Sequence, residues 1–275
     1  MSFGAWLELL TSGLITGGIY ALVALGLNLQ YGLMRILNIA HGEFLMVGAY
    51  LTWMMQTSFG VSPLLMVPVS FVVLMGLGLA IHALCFRRLT ATSPNLDIFE
   101  ARGLMVAFGL MFLVQNFVSW MWGGELRAAN KLLVFALALV FAVAMIVLLR
   151  MTLLGKGVRA LMQSPTGAQL VGINTRVLHP LMFGIGLGLS GVAGALLSMA
   201  YTISPAMGEP YTVTALIVIT LGGFGSIAGS LAGGLLLGVV EALGMHFSSP
   251  SLKMLLSYGV FIGVLLWRPN GLFSK

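Results

Sequence analysis

Charge is what this sequence has least of. Only 7% of its 275 residues are Asp, Glu, Lys or Arg, 59% are hydrophobic, and the mean hydropathy is +1.07. Soluble domains carry charge on roughly a quarter of their residues, so this composition excludes a soluble fold and indicates an all-α, polytopic helical membrane protein. A single cysteine, Cys85, excludes an internal disulfide and any cysteine-rich metal site. The four histidines, His41, His82, His179 and His246, stand far apart without HExxH-type spacing, so no metal is expected. No GxxxxGK[ST] occurs, although Lys156 follows Gly155, and the chain is therefore not itself an ATPase. Neither a carboxylate pair nor a Ser-His pair at workable spacing marks an enzyme. The N-terminus, MSFGAWLELL, lacks the basic region of a secretory signal, so its apolar segment is expected to remain as a span.

Long apolar runs are plentiful. A window of roughly 19 residues finds eight blocks, near residues 5–30, 34–56, 62–86, 103–122, 132–150, 178–202, 212–245 and 252–267. Turn-forming residues separate them at Ser62-Pro63, Ser93-Pro94-Asn95, Trp122-Gly123-Gly124, Ser204-Pro205 and Ser249-Pro250. The longest polar gap, Leu154 to Thr175, holds Lys156 and Arg159 and is flanked by Arg150 and Arg176. Positive loops stay in the cytoplasm, which places this gap inside. Alternation then puts Arg35, Arg87, Arg88, Arg102, Arg268 and Lys275 inside with them, ten of thirteen basic residues, and leaves Arg127, Lys131 and Lys253 outside.

Parity makes the block at 212–245 ambiguous. A single tilted helix there would leave the C-terminus outside, whereas two segments turning at Gly222 to Gly225 within LGGFGSIAGS would return it inside. Glycine bears on the same block. Gly225, Gly229 and Gly233 recur every fourth residue, followed by Gly234 and Gly238, and Gly184 and Gly188 do the same one block earlier. Such stripes let another helix approach closely, whether for packing alone or around a pore.

Polar residues inside apolar blocks need a reason, since a charge at the bilayer centre costs about 3 kcal/mol or more. In ILNIAHGEFLMVGAYLTWMM, Ile36 to Met55, helical spacing gathers Asn38, His41, Gly42, Gly48, Ala49, Thr52 and Gln56 on one side. Ile39, Met46, Val47, Tyr50 and Met54 take the other. Glu43 falls among the apolar residues, so either Gly42 breaks the helix or Glu43 meets a cation such as Arg35. His41 and Glu43, two apart, cannot face each other, which excludes an acid-base dyad. His41 is then a hydrogen-bonded structural histidine or a relay. Asn28, Gln30, Gln115 and Asn116 are expected to face inward, bonding across helices or lining a pathway.

The gap itself reads GKGVRALMQSPTGAQLVGINTR, Gly155 to Arg176. Ser164 before Pro165 is an N-cap with proline at the first helical position, and Gly172 is a stop. The expectation is a helix of roughly two turns outside the membrane, presenting Gly167 and Ala168. It is either a docking element for another protein or a connector.

Three runs, GLITGGIYALVALGLNLQYGLMRILNIAHGEFLMVGAYLTW, RALMQSPTGAQLVGIN and LGGFGSIAGSLAGGLLLGVVEAL, resemble the permease subunits of branched-chain amino-acid ABC importers. The resemblance covers nearly the whole chain and is nearest to the first of the two paired permeases. It implies one permease domain over residues 1–275, multi-pass in the bacterial cytoplasmic (inner) membrane, with a coupling loop at about 155–176. The implied partners are a second homologous permease, two cytoplasmic ATP-binding subunits and a soluble external binding protein. No cofactor belongs to this chain, ATP and Mg being held by the partner ATPases. Arg159, Ala160, Gln163, Gly167, Ala168 and Gly172 match coupling-helix positions, while Ser164-Pro165 departs from the usual residue after the glutamine. Asn28, Asn38, His41, Glu43, Gln115 and Asn116 become translocation pathway candidates. Urea, short-chain amide and aromatic-acid importers share these motifs, so the solute stays open. A passive channel or an ion-coupled secondary transporter is the alternative.

Overall fold

The computed structural model describes residues 3–122, 131–247, 250–268 and 271–272. The breaks at Gly123-Gly124 and Ser249, and the placements of Arg127 and Lys275, lie outside the described residues.

The first helix, α1 (Phe3–Met34), is about 48 Å long at 1.5 Å per residue, more than a bilayer core needs. It stops because Arg35 takes a left-handed conformation, φ 57°, and returns its N–H to the Tyr31 carbonyl at 2.8 Å. Residues 36–40 are not helical, and α2 (His41–Phe59) begins only after them. The expected single helix through Asn38 and His41 is thus corrected to a break before His41. Gly60, at φ 64°, closes α2 by bonding back to Gln56 and Met55.

Pro63 then opens α3 (Pro63–Ile81), which runs through a π-helical turn (His82–Phe86) into α4 (Arg87–Thr92). The next span is α5 (Leu96–Trp122), followed by α6 (Lys131–Met151) and α7 (Leu153–Gln163). Between α6 and α7 the axis bends by 77°. Thr152 makes that corner, leaving the helical region and accepting the Gly155 N–H at 3.1 Å as an N-cap. Ser164 does the same for α8 (Pro165–Leu170), accepting the Gly167 N–H at 3.1 Å with proline at the first helical position. The rest is α9 (Thr175–Ala200), α10 (Gly208–Gly222), α11 (Ile227–Phe247) and α12 (Pro250–Trp267).

Five described helices are individually long and apolar enough to cross a membrane, and α6 with α7 passes the same test only when the two are taken together. Burial sorts them. The most apolar stretches of α1 and α9 are 78% and 89% buried, against 28% for the α3 span and 17% for α5. The protein is therefore built around α1 and α9, with α3 and α5 showing an apolar side to lipid. Glycine sets how closely the inner pair approaches. A Cβ on Gly26 would sit 2.5 Å from the Gly186 carbonyl oxygen, and one on Gly186 would sit 2.6 Å from that of Gly26.

The block at 212–245 is two helices. Gly223 and Gly225, at φ 90° and 80°, turn the chain between α10 and α11. Behind the turn, Gly229 lies against the Gly222 carbonyl, and a Cβ on Gly233 would be 3.0 Å from the Val218 carbonyl oxygen, so the helices run back antiparallel. The expected stripe accordingly divides, with Gly229 and Gly233 packing α11 on α10 and Gly225 serving the turn. Gly234 instead meets Ala21 of α1, where a Cβ would lie 2.6 Å from the Ala21 nitrogen.

Candidate functional site

Residues 36–40 carry backbone groups that no helix satisfies, and in an apolar interior each must find a partner. Side chains of α10 and α9 meet backbone groups at the break and in the first turn of α2, and one of α1 meets the Asn38 side chain. Thr212 of α10 donates to the Ile39 carbonyl at 3.0 Å and accepts the Gly42 N–H at 2.8 Å. Ser190 of α9 donates to the His41 carbonyl at 2.8 Å. Asn38 donates to the Gln30 side chain at 3.0 Å, and Gln30 in turn donates to the Phe183 carbonyl at 3.3 Å. His41 Nε2 lies 3.0 Å from the Val23 carbonyl, so that nitrogen carries the proton. Much of what made this stretch anomalous in sequence is thus the cost of a broken helix being met.

Not everything is met. Asn38 Oδ1, His41 Nδ1 and both carboxylate oxygens of Glu43 are buried without a hydrogen-bond partner. Glu43 stands in the first turn of α2 and points at the first residue of α10, where a Cβ on Gly208 would lie 2.5 Å from the carboxylate carbon. Gly42 is equally bare, and a Cβ there would strike the Gly208 carbonyl oxygen. Two helix N-termini therefore meet around a fully buried carboxylate, whose charge their dipoles favour. The expected Arg35 partner is ruled out, because Arg35 is exposed at the end of α1 while the Glu43 oxygens are unpaired. Burial works against the Glu43 charge, and Glu209, next along α10, adds repulsion.

Of the other pathway candidates, Asn28 lies elsewhere and Gln115 and Asn116 stand apart from the cluster. Asn28 is buried at the α10–α11 turn, accepting the Gly225 N–H at 2.7 Å and donating to Ser226 O at 3.1 Å and Ser230 Oγ at 2.7 Å. On α5 the buried stripe is Phe99, Gly103, Ala107, Met111, Val114 and Val118. Gln115 falls beside that stripe and is half-buried, while Asn116 is exposed and bonds its own helix at the Phe112 carbonyl, 2.7 Å away. The inward orientation expected of Asn116 is corrected accordingly.

The second region is the arm α7–α8. Val158 and Leu161 anchor it in the core. Gln163 and Gly172 are exposed, Ala160 and Gly167 half-buried, and Ala168 is buried against the permease, so the arm does not offer Ala168 outward as expected. A short helix held down on one side turns its small residues in, and Leu170 and Val171, 83% and 76% exposed, are what it presents. Two adjacent exposed aliphatic residues at a helix end were the missed signal. Arg159 curls back, its guanidinium donating to the Leu149 carbonyl and to the Arg150 carbonyl at 3.4 Å, which caps α6 with positive charge. Among the described residues no group of three or more His, Cys, Asp or Glu could hold a metal ion.

A helical bundle with a break before α2, a glycine hairpin and the α7–α8 arm also has relatives. Residues 9–265 match the family described as branched-chain amino acid transport system, permease component. The high-affinity branched-chain amino acid transport system permease protein BraD of Pseudomonas aeruginosa is 31% identical, over 98% of this chain and 96% of that protein. LivH of Escherichia coli, named in the same words, is 28% identical over 98% and 96%. LivM of the same organism, also named a permease protein of that system, is 24% identical over 92% of this chain and 67% of its own length. No solved structure matches. With the family pattern spanning nearly the whole chain, this protein belongs to the permease components of branched-chain amino acid transport systems.

Proposed function

We propose that this chain is one of two homologous permeases of an ATP-driven importer in a bacterial cytoplasmic membrane, moving a branched-chain amino acid or a similar small amphipathic solute. An external binding protein delivers the solute. Two ATP-binding subunits on the cytoplasmic side supply the energy, and ATP and Mg are held there. The observation that carries this reading is the arm: a helix pair anchored on the apolar bundle, with Leu170 and Val171 exposed at its end and the basic residues Lys156 and Arg176 exposed on α7 and at the start of α9. Exposed aliphatic side chains on such an arm fit a groove on a soluble partner. The likeness to both LivH and LivM of one organism supports a second, related permease as partner.

The pathway is assigned to the meeting point of α2 and α10, where Asn38, His41 and Glu43 hold their unpartnered polar atoms. Polar groups of this kind at the ends of discontinuous helices are how membrane transporters address small solutes. The test is purification of tagged protein in mild detergent with identification of what accompanies it. A second permease and P-loop ATPases are expected with wild-type protein, and Leu170→Asp with Val171→Asp should release the ATPases without loss of folded permease. A homo-oligomer free of ATPases across several detergents would overturn the reading in favour of a channel or ion-coupled carrier.

A further inference from the structure

At the arm's end of the bundle, three segments converge on the turn between α10 and α11. Asn28 of α1 fastens the turn through Gly225, Ser226 and Ser230. One residue before Gly32, Tyr31 packs its ring 4.8 Å from that of Phe224 in the turn. The C-terminal segment joins them, with the Leu272 N–H donating to the Leu221 carbonyl at 2.8 Å and a Cβ on Gly271 lying 2.6 Å from the Gly223 Cα. The third segment is α7, and the side chain it brings to the turn is that of Met162. The Met162 methyl group packs on Gly32, where any Cβ would collide with it, and a Cβ on Gly225 would lie 3.1 Å from the same methyl. One flexible thioether is thus seated between two residues that have no side chains.

We infer that Met162 is the positioning residue through which movement of the α7–α8 arm reaches the α10–α11 hairpin. The inference rests on the importer reading of the arm. Its mechanics follow from the helices on either side. Within the arm, one residue, Ser164, joins α8 to α7, and Met162 stands in the last turn of α7 beside the buried Leu161, so a displacement of α8 is applied at Met162. Beyond the turn, α10 is a rod of about 22 Å whose far end, Gly208, bears on Glu43 and Gly42. A shift of Met162 against Gly32 and Gly225 is therefore applied to one end of α10, and the polar junction is at the other. Contiguity alone does not establish coupling, which requires an element whose two arrangements both sites bias. The turn is the element to watch.

The experiment is hydrogen exchange of residues 221–230 in the complete complex, with ATP and vanadate or without nucleotide. The Gly225 amide, bonded to Asn28, is the reporter. Wild type should change its exchange on adding nucleotide, Met162→Ala should lose that change, and Met162→Leu, which refills the space, should keep it. Gly32→Ala, which displaces the methyl while retaining methionine, should behave as Met162→Ala. In proteoliposomes supplied with labelled leucine, uptake per ATP hydrolysed should fall by at least about 5-fold in the two uncoupled variants, the lower range of ordinary coupling. A nucleotide response that persists in Met162→Ala, or that wild type lacks, overturns the inference while the ATPases remain bound. Absence of ATPases from the purified wild-type complex overturns the importer reading itself.

Discussion

Replacing Asn28 by alanine should destabilise the protein far more than replacing Asn116, although both are asparagines inside apolar blocks. The Asn28 amide makes three hydrogen bonds at the hairpin turn. Two of the groups it serves have other partners: the Ser226 carbonyl also accepts the Ser230 N–H at 3.0 Å and the Ser230 hydroxyl at 3.2 Å. The Gly225 N–H loses its acceptor outright. Gly225 is half-buried, so orphaning its amide costs about 1–2 kcal/mol, and each remaining bond about 1 kcal/mol, giving roughly 3–4 kcal/mol. Asn116 is exposed and bonds only the Phe112 carbonyl of its own helix, so its alanine variant should stay within about 0.5 kcal/mol of wild type. Tryptophan fluorescence melts of the two variants in one detergent provide the assay. At about 2–4 °C per kcal/mol for a chain of this size, Asn28→Ala should melt roughly 6–16 °C below wild type. Melting of Asn28→Ala within about 2 °C of Asn116→Ala would refute the latch.

Glu43→Gln removes a charge that no cation pairs, so folding yield and melting temperature should match or exceed wild type while uptake slows; a marked fall in yield would reveal an ion pair. Gly208→Ala places a methyl group against the Glu43 carboxylate and should cost about 1–3 kcal/mol by overpacking. Adding Glu43→Ala should recover much of that loss in a double-mutant cycle, and strict additivity would show that the two do not touch. Arg159→Gln should lower the melting temperature by the equivalent of about 1 kcal/mol, because the carbonyls at the end of α6 lose their cationic cap. Unchanged melting with loss of co-purifying ATPases would instead place Arg159 in the partner contact.

Apolar periodicity and punctuation made much of the architecture readable. The serine cap of α8, the proline after it and the glycine turn near Gly222 to Gly225 all rest on local chemistry, and local chemistry is what one sequence records. The break before His41 was less readable. Residues 36–40 contain neither proline nor glycine, and their unwinding depends on Thr212, Ser190 and Gln30, which lie far away along the chain or on another helix. A helix is the default for such a run, and only remote polar partners, Thr212 for the Ile39 carbonyl, Ser190 for the His41 carbonyl and Gln30 for the Asn38 side chain, make another choice affordable.

The same limit decides which polar residues could be placed. Asn28 and Asn116 are alike in type and in apolar context, yet one fastens a turn and the other bonds its own helix. What separates them is the face on which each falls. On α5 only a narrow stripe is buried, so a residue two positions off Val114 is already at the surface. On α1 nearly every direction is occupied, by α9, α10 and α11 in turn, so an asparagine there must meet protein. Had hydrophobicity alone been weighed, the two helices would have looked equivalent; it is glycine that distinguishes them. Gly13, Gly17 and Gly26 of α1 each lie where a Cβ would press on another helix, whereas a Cβ on Gly109 of α5 would meet nothing within 4 Å. In an apolar chain, glycines that repeat on one helix and match glycines on another are the better guide to the interior, because lipid does not reward close approach and a neighbouring helix does.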